Sequence, residues 1–140
     1  MSIDKKTRRY LGVDWGEKRI GLALGDDETG IATPLGVVDS VAGVLDLTKE
    51  EEIDKIIIGL PVKMSGAKNE TSPAFDKFVK YLRDNSGIPV EFMDERLTSK
   101  AADALLKRGA NPLSPRLRRA GAARDSIAAM LILQAYLDKS

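Results

Sequence analysis

The run Ile56-Ile57-Ile58-Gly59-Leu60-Pro61 constrains the fold of this chain more than any other segment. A short continuous apolar stretch closed by Gly and Pro suits a central strand, whose side chains on both faces of the pleat must each meet another layer. It predicts a sheet with a parallel interior and helices on both sides. The segments before it fit that frame. Tyr10 to Asp14 reads as a strand, Trp15 to Lys18 as a turn, and Ile20 to Gly25 as a second strand pairing back as a hairpin. Ala32 to Val38 reads as a third strand, and Pro34 places its start at an edge. Ser40 caps a helix that carries Val41, Val44, Leu45 and Thr48 at helical spacing and ends in Glu50-Glu51-Glu52.

After the isoleucine run comes a loop over 61–71, at what should be the strand's carboxyl edge, where loops often carry function. Ser72-Pro73 starts a helix with Phe75, Phe78, Val79 and Leu82 on one stripe, and Asn85-Ser86-Gly87 stops it. Pro89 to Met93 forms a fifth strand. Thr98 caps a helix with Ala101, Ala102, Leu105 and Leu106 facing inward, and Gly109 ends it. A basic connection broken by Pro112 and Pro115 leads to a last helix, from about Ala120 to Leu137, that between Ser126 and Leu137 is apolar nearly all round apart from Gln134 and should therefore be largely buried. Three strands, helix, strand, helix, strand, helix, helix is the ribonuclease H-like α/β layout. It has a five-stranded mixed sheet, an antiparallel meander plus two parallel strands, with helices on both faces.

The length of 140 residues fits one domain over 1–140, with residues 1–8 as a loose basic arm. No apolar run approaches the roughly 18 residues of a membrane span, and no apolar stretch typical of a secretion signal follows Met1 to Arg9. A cytoplasmic protein with no membrane partner is expected. Cysteine and histidine are both absent. That removes disulfides, thiolate nucleophiles, Ser-His-Asp triads and the usual Zn²⁺ ligands in one step. Hydrolytic chemistry would then rest on a hard cation such as Mg²⁺ or Mn²⁺ held by carboxylates.

Three acids stand out. Asp14 ends the first strand just before Gly16, either stabilising the turn or projecting at the sheet edge where a ligand can approach. Glu95 lies just past the fifth strand, either paired locally with Arg96 or at that same carboxyl edge. Asp125 shares a helix face with Ala128, Ala129 and Ile132, so it either caps the helix or needs a cation, which a metal ion or an Arg could supply. In the expected topology the three converge at one edge. Two metal ions held there could bind the attacking water and the leaving oxygen of a phosphodiester displacement.

The net charge of +1 hides a segregation: no acid falls between Ala104 and Arg124, while Lys107, Arg108, Arg116, Arg118, Arg119 and Arg124 do. This is either a solvated connection or a phosphate-contacting footprint, to which Lys18, Arg19 and Arg96 would add. Phosphate loops of the G-x-x-x-x-G-K-[ST] type and G-x-G-x-x-G turns are missing.

Four blocks carry a family resemblance. Gly12-Val13-Asp14-Trp15-Gly16 with Lys18-Arg19-Ile20-Gly21 resembles the opening signature of the YqgF family. Ile58-Gly59-Leu60-Pro61 with Ser65-Gly66, then Asp94-Glu95-Arg96-Leu97-Thr98-Ser99, then Asp125-Ser126-Ile127-Ala128-Ala129 with Leu131-Ile132-Leu133-Gln134, are similar to its other blocks in order and spacing. The resemblance implies a ribonuclease H-like nuclease, related to Holliday junction resolvases, that matures the 5′ end of pre-16S ribosomal RNA. It carries Asp14, Glu95 and Asp125 over as the acidic site residues. Many ribonuclease H-like enzymes place a carboxylate at the end of the fourth strand, where this chain has Gly59-Leu60-Pro61.

Several functions are compatible with these residues. A metal-dependent nuclease on rRNA precursor comes first, with nucleic acid as partner and Mg²⁺ or Mn²⁺ as cofactor. A resolvase on four-way DNA would predict a two-fold homodimer, although a monomer is equally compatible with the sequence. A non-catalytic RNA-binding assembly module would need no metal. A sugar-kinase or actin relic shares the Asp-x-Gly turn, but those proteins close two domains around ATP and this chain has room for one.

Overall fold

The computed structural model describes residues 7–60, 72–94 and 124–139. Within them lie strands β1 (Arg9–Asp14), β2 (Ile20–Asp26) and β3 (Ala32–Val38), helix α1 (Val41–Glu50), strand β4 (Lys55–Leu60), helix α2 (Pro73–Ser86), strand β5 (Val90–Asp94) and helix α3 (Arg124–Lys139). The strands form one sheet in the order β3-β2-β1-β4-β5. β1–β2 and β2–β3 are antiparallel, whereas β4 pairs parallel to both β1 and β5. This is the expected mixed sheet, and β3, with Pro34 near its start, is an edge. The helix expected from Thr98 and the first residues of the last helix, 120–123, lie outside the described residues.

Local chemistry explains the helix boundaries. The Ser40 side chain accepts a hydrogen bond from the Gly43 amide at the start of α1. Ser72 does the same for Phe75 at 3.1 Å, with Pro73 at the first helical position of α2. Gly87, with φ of 71°, ends α2 in the left-handed conformation that a residue without a Cβ adopts freely.

The strand pleat divides the core in two. Leu11, Val13, Leu22, Ile56 and Ile58 meet Val44 of α1 and Phe75, Phe78, Val79 and Leu82 of α2. On the other face Tyr10, Ala23, Ile57 and Met93 meet Ile127, Ala129, Ile132, Leu133 and Leu137 of α3. Ile56, Ile57 and Ile58 are all fully buried, one to each side in turn, as a strand between two layers requires. Gln134, the polar exception in α3, is also buried. It accepts from the Ala32 amide and donates to the Gly30 carbonyl, each at 2.9 Å, so the helix's end is tied to the start of β3. Among the described residues no helix is long and apolar enough to cross a membrane.

Candidate active site

The site grows from two places where α3 comes unusually close to the sheet. A Cβ built on Gly12 would lie 2.7 Å from Leu133 Cβ and 2.9 Å from the Ala129 carbonyl oxygen. One built on Gly21 would overlap the Asp125 carbonyl outright and lie 2.8 Å from the Ser126 amide nitrogen. Only glycine permits this approach. Gly21 is also the direct cross-strand partner of Asp14. The start of α3 therefore rests on the β2 residue beside Asp14, and two carboxylate-bearing residues far apart in sequence become neighbours.

Alternation along β1 sends Leu11 and Val13 toward α1 and α2, and Tyr10 and Gly12 toward α3, so Asp14 falls on the α3 face. Val13 pairs with Ile58, and Gly59 with Met93. Continued by one residue, that register puts Gly59 beside Asp14 on β4, so no side chain stands between Asp14 and β5. β4 ends at Leu60, so its last two residues, Gly59 and Leu60, carry no carboxylate. Asp94 ends β5, opposite Leu60.

Asp125 is partly buried, with its side chain 29% exposed, and its Oδ2 lies 3.3 Å from Nε of Arg19, whose side chain is 69% exposed. Of the cations that could meet an acid on a greasy helix face, the structure shows Arg19. The next residue, Ser126, is fully buried and donates its hydroxyl to the Leu22 carbonyl at 2.9 Å. Leu22 is where the β2–β3 register shifts, so this bond anchors the first turn of α3 to an irregular point of the sheet. Ser126→Ala is expected to destabilise the protein by about 1–2 kcal/mol, because a buried carbonyl loses its donor; chemical denaturation would measure the loss.

The expected site residues divide as follows. Asp14, Lys18, Arg19 and Asp125 are described, and Lys18 and Arg19 are exposed in the β1–β2 turn at the Asp14 end. Arg124 opens α3. Glu95, Arg96, Lys107, Arg108, Arg116, Arg118 and Arg119 lie outside the described residues, Glu95 being one residue past β5. Among the described residues no cluster of three or more potential metal-ligating side chains occurs. Sequence reasoning missed the Gly21 contact. The signal was present, since a glycine inside a strand often marks close approach of another backbone.

The opposite end of the sheet is acidic. Asp27 and Asp54 accept from the Arg8 and Arg9 amides, Asp26 pairs with Arg9 across β1–β2, and Glu51 holds the Arg9 guanidinium at 2.8 Å. A hydrogen bond from the Thr29 amide, and a further one from its hydroxyl, hold the Asp26 carboxyl below the usual carboxylate range.

A five-stranded sheet of this order, with an aspartate closing the central strand and a helix carrying a second aspartate packed over it, defines a ribonuclease H-like domain. Solved structures share the fold. A Thermus thermophilus RuvC in complex with a Holliday junction substrate matches with a TM-score of 0.61 at 17% identity over 94% of each chain. The large terminase nuclease of phage G20c matches with 0.55 at 15% identity, over 93% of this chain and 82% of that one. Over residues 8–139 the sequence matches the family model described as RuvX, Holliday junction resolvase, and the chain belongs to that family. Relatives in Chloroflexus aggregans (37% identical, 91% of this chain and 92% of the relative) and Syntrophus aciditrophicus (39%, 93% and 88%) carry the provisional name pre-16S rRNA nuclease.

Proposed function

We propose that this chain is a divalent-metal-dependent nuclease of structured nucleic acid, with 5′-end processing of pre-16S rRNA as its principal role. The observation that carries this is the interlock at Gly21, which sets Asp125 beside Asp14 at the carboxyl edge of the central strand. The substrate follows from the names of the curated relatives. Cleavage of four-way DNA is the second reading, favoured by the family's description. A single-domain cytoplasmic protein is the setting that suits either.

The donor set fits a hard cation. Asp14 and Asp125 offer only oxygen, and the chain has no histidine or cysteine to favour a softer metal. Asp14, Asp125 and Glu95 would hold Mg²⁺ or Mn²⁺, which when bound lowers the pKa of water and offsets charge on the phosphate. The chain's own groups do the remaining work. Gly21 and Ser126 fix the height of Asp125 above the sheet, and Gly59 leaves room beside Asp14. Lys18 and Arg19 meet phosphates by charge, as do Arg96, Arg124 and the basic residues over 107–119, a contact that positions a backbone without reading its sequence.

The test is incubation of the pure protein with a labelled pre-16S 5′ leader, a four-way DNA junction and an unstructured strand, in Mg²⁺, Mn²⁺ or EDTA. Metal-dependent cutting that favours the leader is expected. Preference for the junction would transfer the assignment to resolvase, and tight binding with no cutting in any metal would replace it with an RNA-binding assembly module.

Arg19 serves two partners, so its removal has two effects of opposite sign. Arg19→Ala frees Asp125 of an exposed ion pair and is expected to tighten Mn²⁺ binding up to about fivefold, as read by calorimetry. The same variant should weaken nucleic-acid binding and lower the slope of log affinity against log salt by about one.

A further inference from the structure

Trp15, the one tryptophan, is not part of the carboxylate site, yet it directly follows Asp14. Asp14 belongs to the α3 face, whereas the Trp15 ring packs against Phe75 and Phe78 of α2, with centroids 5.5 and 6.4 Å apart. The chain thus places a carboxylate on one side of the sheet's end and an indole on the other, one peptide apart. Around that indole opens a cleft of about 340 Å³, walled by Trp15, Phe78 and Tyr81 and rimmed by Lys77, Asp39 and Ser40. Its volume lies at the lower end of the roughly 300–1,000 Å³ typical of small-molecule sites.

We propose that this cleft receives an unpaired nucleobase of the bound nucleic acid, next to the phosphate held at the carboxylates; this rests on the nuclease reading above. Tyr81 is the feature that asks for an occupant. It is one of two large hydrophobic residues exposed among those described, at 49%, and it stands on the cleft wall. Lys77, one helical turn before it on α2, supplies a cation at the same rim. Aromatic walls suit a base, and the rim sets one cation, Lys77, among the carboxylates of Asp39 and Glu17. A base stacks on aromatic rings, its edge reaches hydrogen-bonding side chains, and the phosphate meets the lysine. The carboxylate of Asp39 accepts and does not donate when ionised, so bases presenting N–H groups on their edge are the better match. Continuity favours a nucleotide over a peptide, because a strand whose phosphate lies at Asp14 has its neighbouring base within reach of the adjacent residue.

Trp15 fluorescence reports the cleft directly. The full chain is titrated, in EDTA to prevent cleavage, with a short single-stranded oligoribonucleotide, with the same strand made abasic, and with a blunt duplex. The expected result is a change in Trp15 emission with the base-bearing strand alone. Tyr81→Ala should weaken binding of that strand about tenfold while leaving the abasic strand unaffected, and Tyr81→Phe should restore the affinity. Tyr81 is exposed, so neither variant endangers the fold. Equal affinity for based and abasic strands, or unchanged binding in Tyr81→Ala, overturns the proposal. The two readings fail separately. If the strand binds and changes the emission but no substrate is ever cut, the nuclease reading falls and the base cleft stands. If substrates are cut and Tyr81→Ala alters neither KM nor strand affinity, the cleft falls and the nuclease stands. Absence of binding to every strand overturns the cleft, while the nuclease reading stands or falls on the cleavage assay.

Discussion

Asp14→Asn is expected to lower the cleavage rate on the order of a thousandfold while leaving the fold intact. The substitution keeps the size of the side chain, replaces one acceptor oxygen with an NH2 donor and removes one negative charge. A metal contributes several kcal/mol to a phosphodiester transition state, and about 4 kcal/mol is a thousandfold in rate. Thermal stability should stay close to the parent's, because asparagine matches aspartate in size and the position is only half-buried at the end of β1. Single-turnover cleavage of the preferred substrate, with thermal unfolding of the same sample, separates the two effects. Nucleic-acid affinity in EDTA should not fall. A variant that folds normally and cuts within tenfold of the parent would exclude Asp14 from the chemistry.

Gly21→Ala is expected to damage both fold and activity. The added methyl would occupy the position of the Asp125 carbonyl, and that neighbour is helix backbone, which cannot rotate away as a side chain could. Either α3 rises from β2 or β2 bends, and the buried Ser126 to Leu22 hydrogen bond is stretched in both cases. A cost of about 3 kcal/mol, at the upper end for overpacking, corresponds to a fall in Tm of roughly 10 °C for a chain of this length. Activity should drop further than stability explains, since a displacement of about 1 Å at a reacting centre can cost a hundredfold. Assays well below the new Tm would show that excess.

Most of the architecture was legible before any coordinates. The isoleucine run foretold a strand buried on both faces, Ser40 and Ser72-Pro73 foretold two helix starts, and Pro34 foretold an edge. Asp125 stood out as an acid on a greasy face. What the residues left open was its partner: metal, arginine and capping were all compatible, and the structure shows Arg19 alongside. Gln134 looked like an interruption in a buried helix until its partners, over a hundred residues away, came into view.

The division has a physical basis. Strand and helix periods, caps and turn residues act over a few neighbouring residues, so the order of secondary structure and the candidate acids were determined by the sequence alone. The docking of α3 on the face opposite α1 and α2, the landing of Asp125 on Gly21 beside Asp14, and the isolation of Trp15 across the sheet from its carboxylate neighbour were decided only by the tertiary structure. Each depends on which distant surfaces bury one another, and no local preference of the chain encodes that choice.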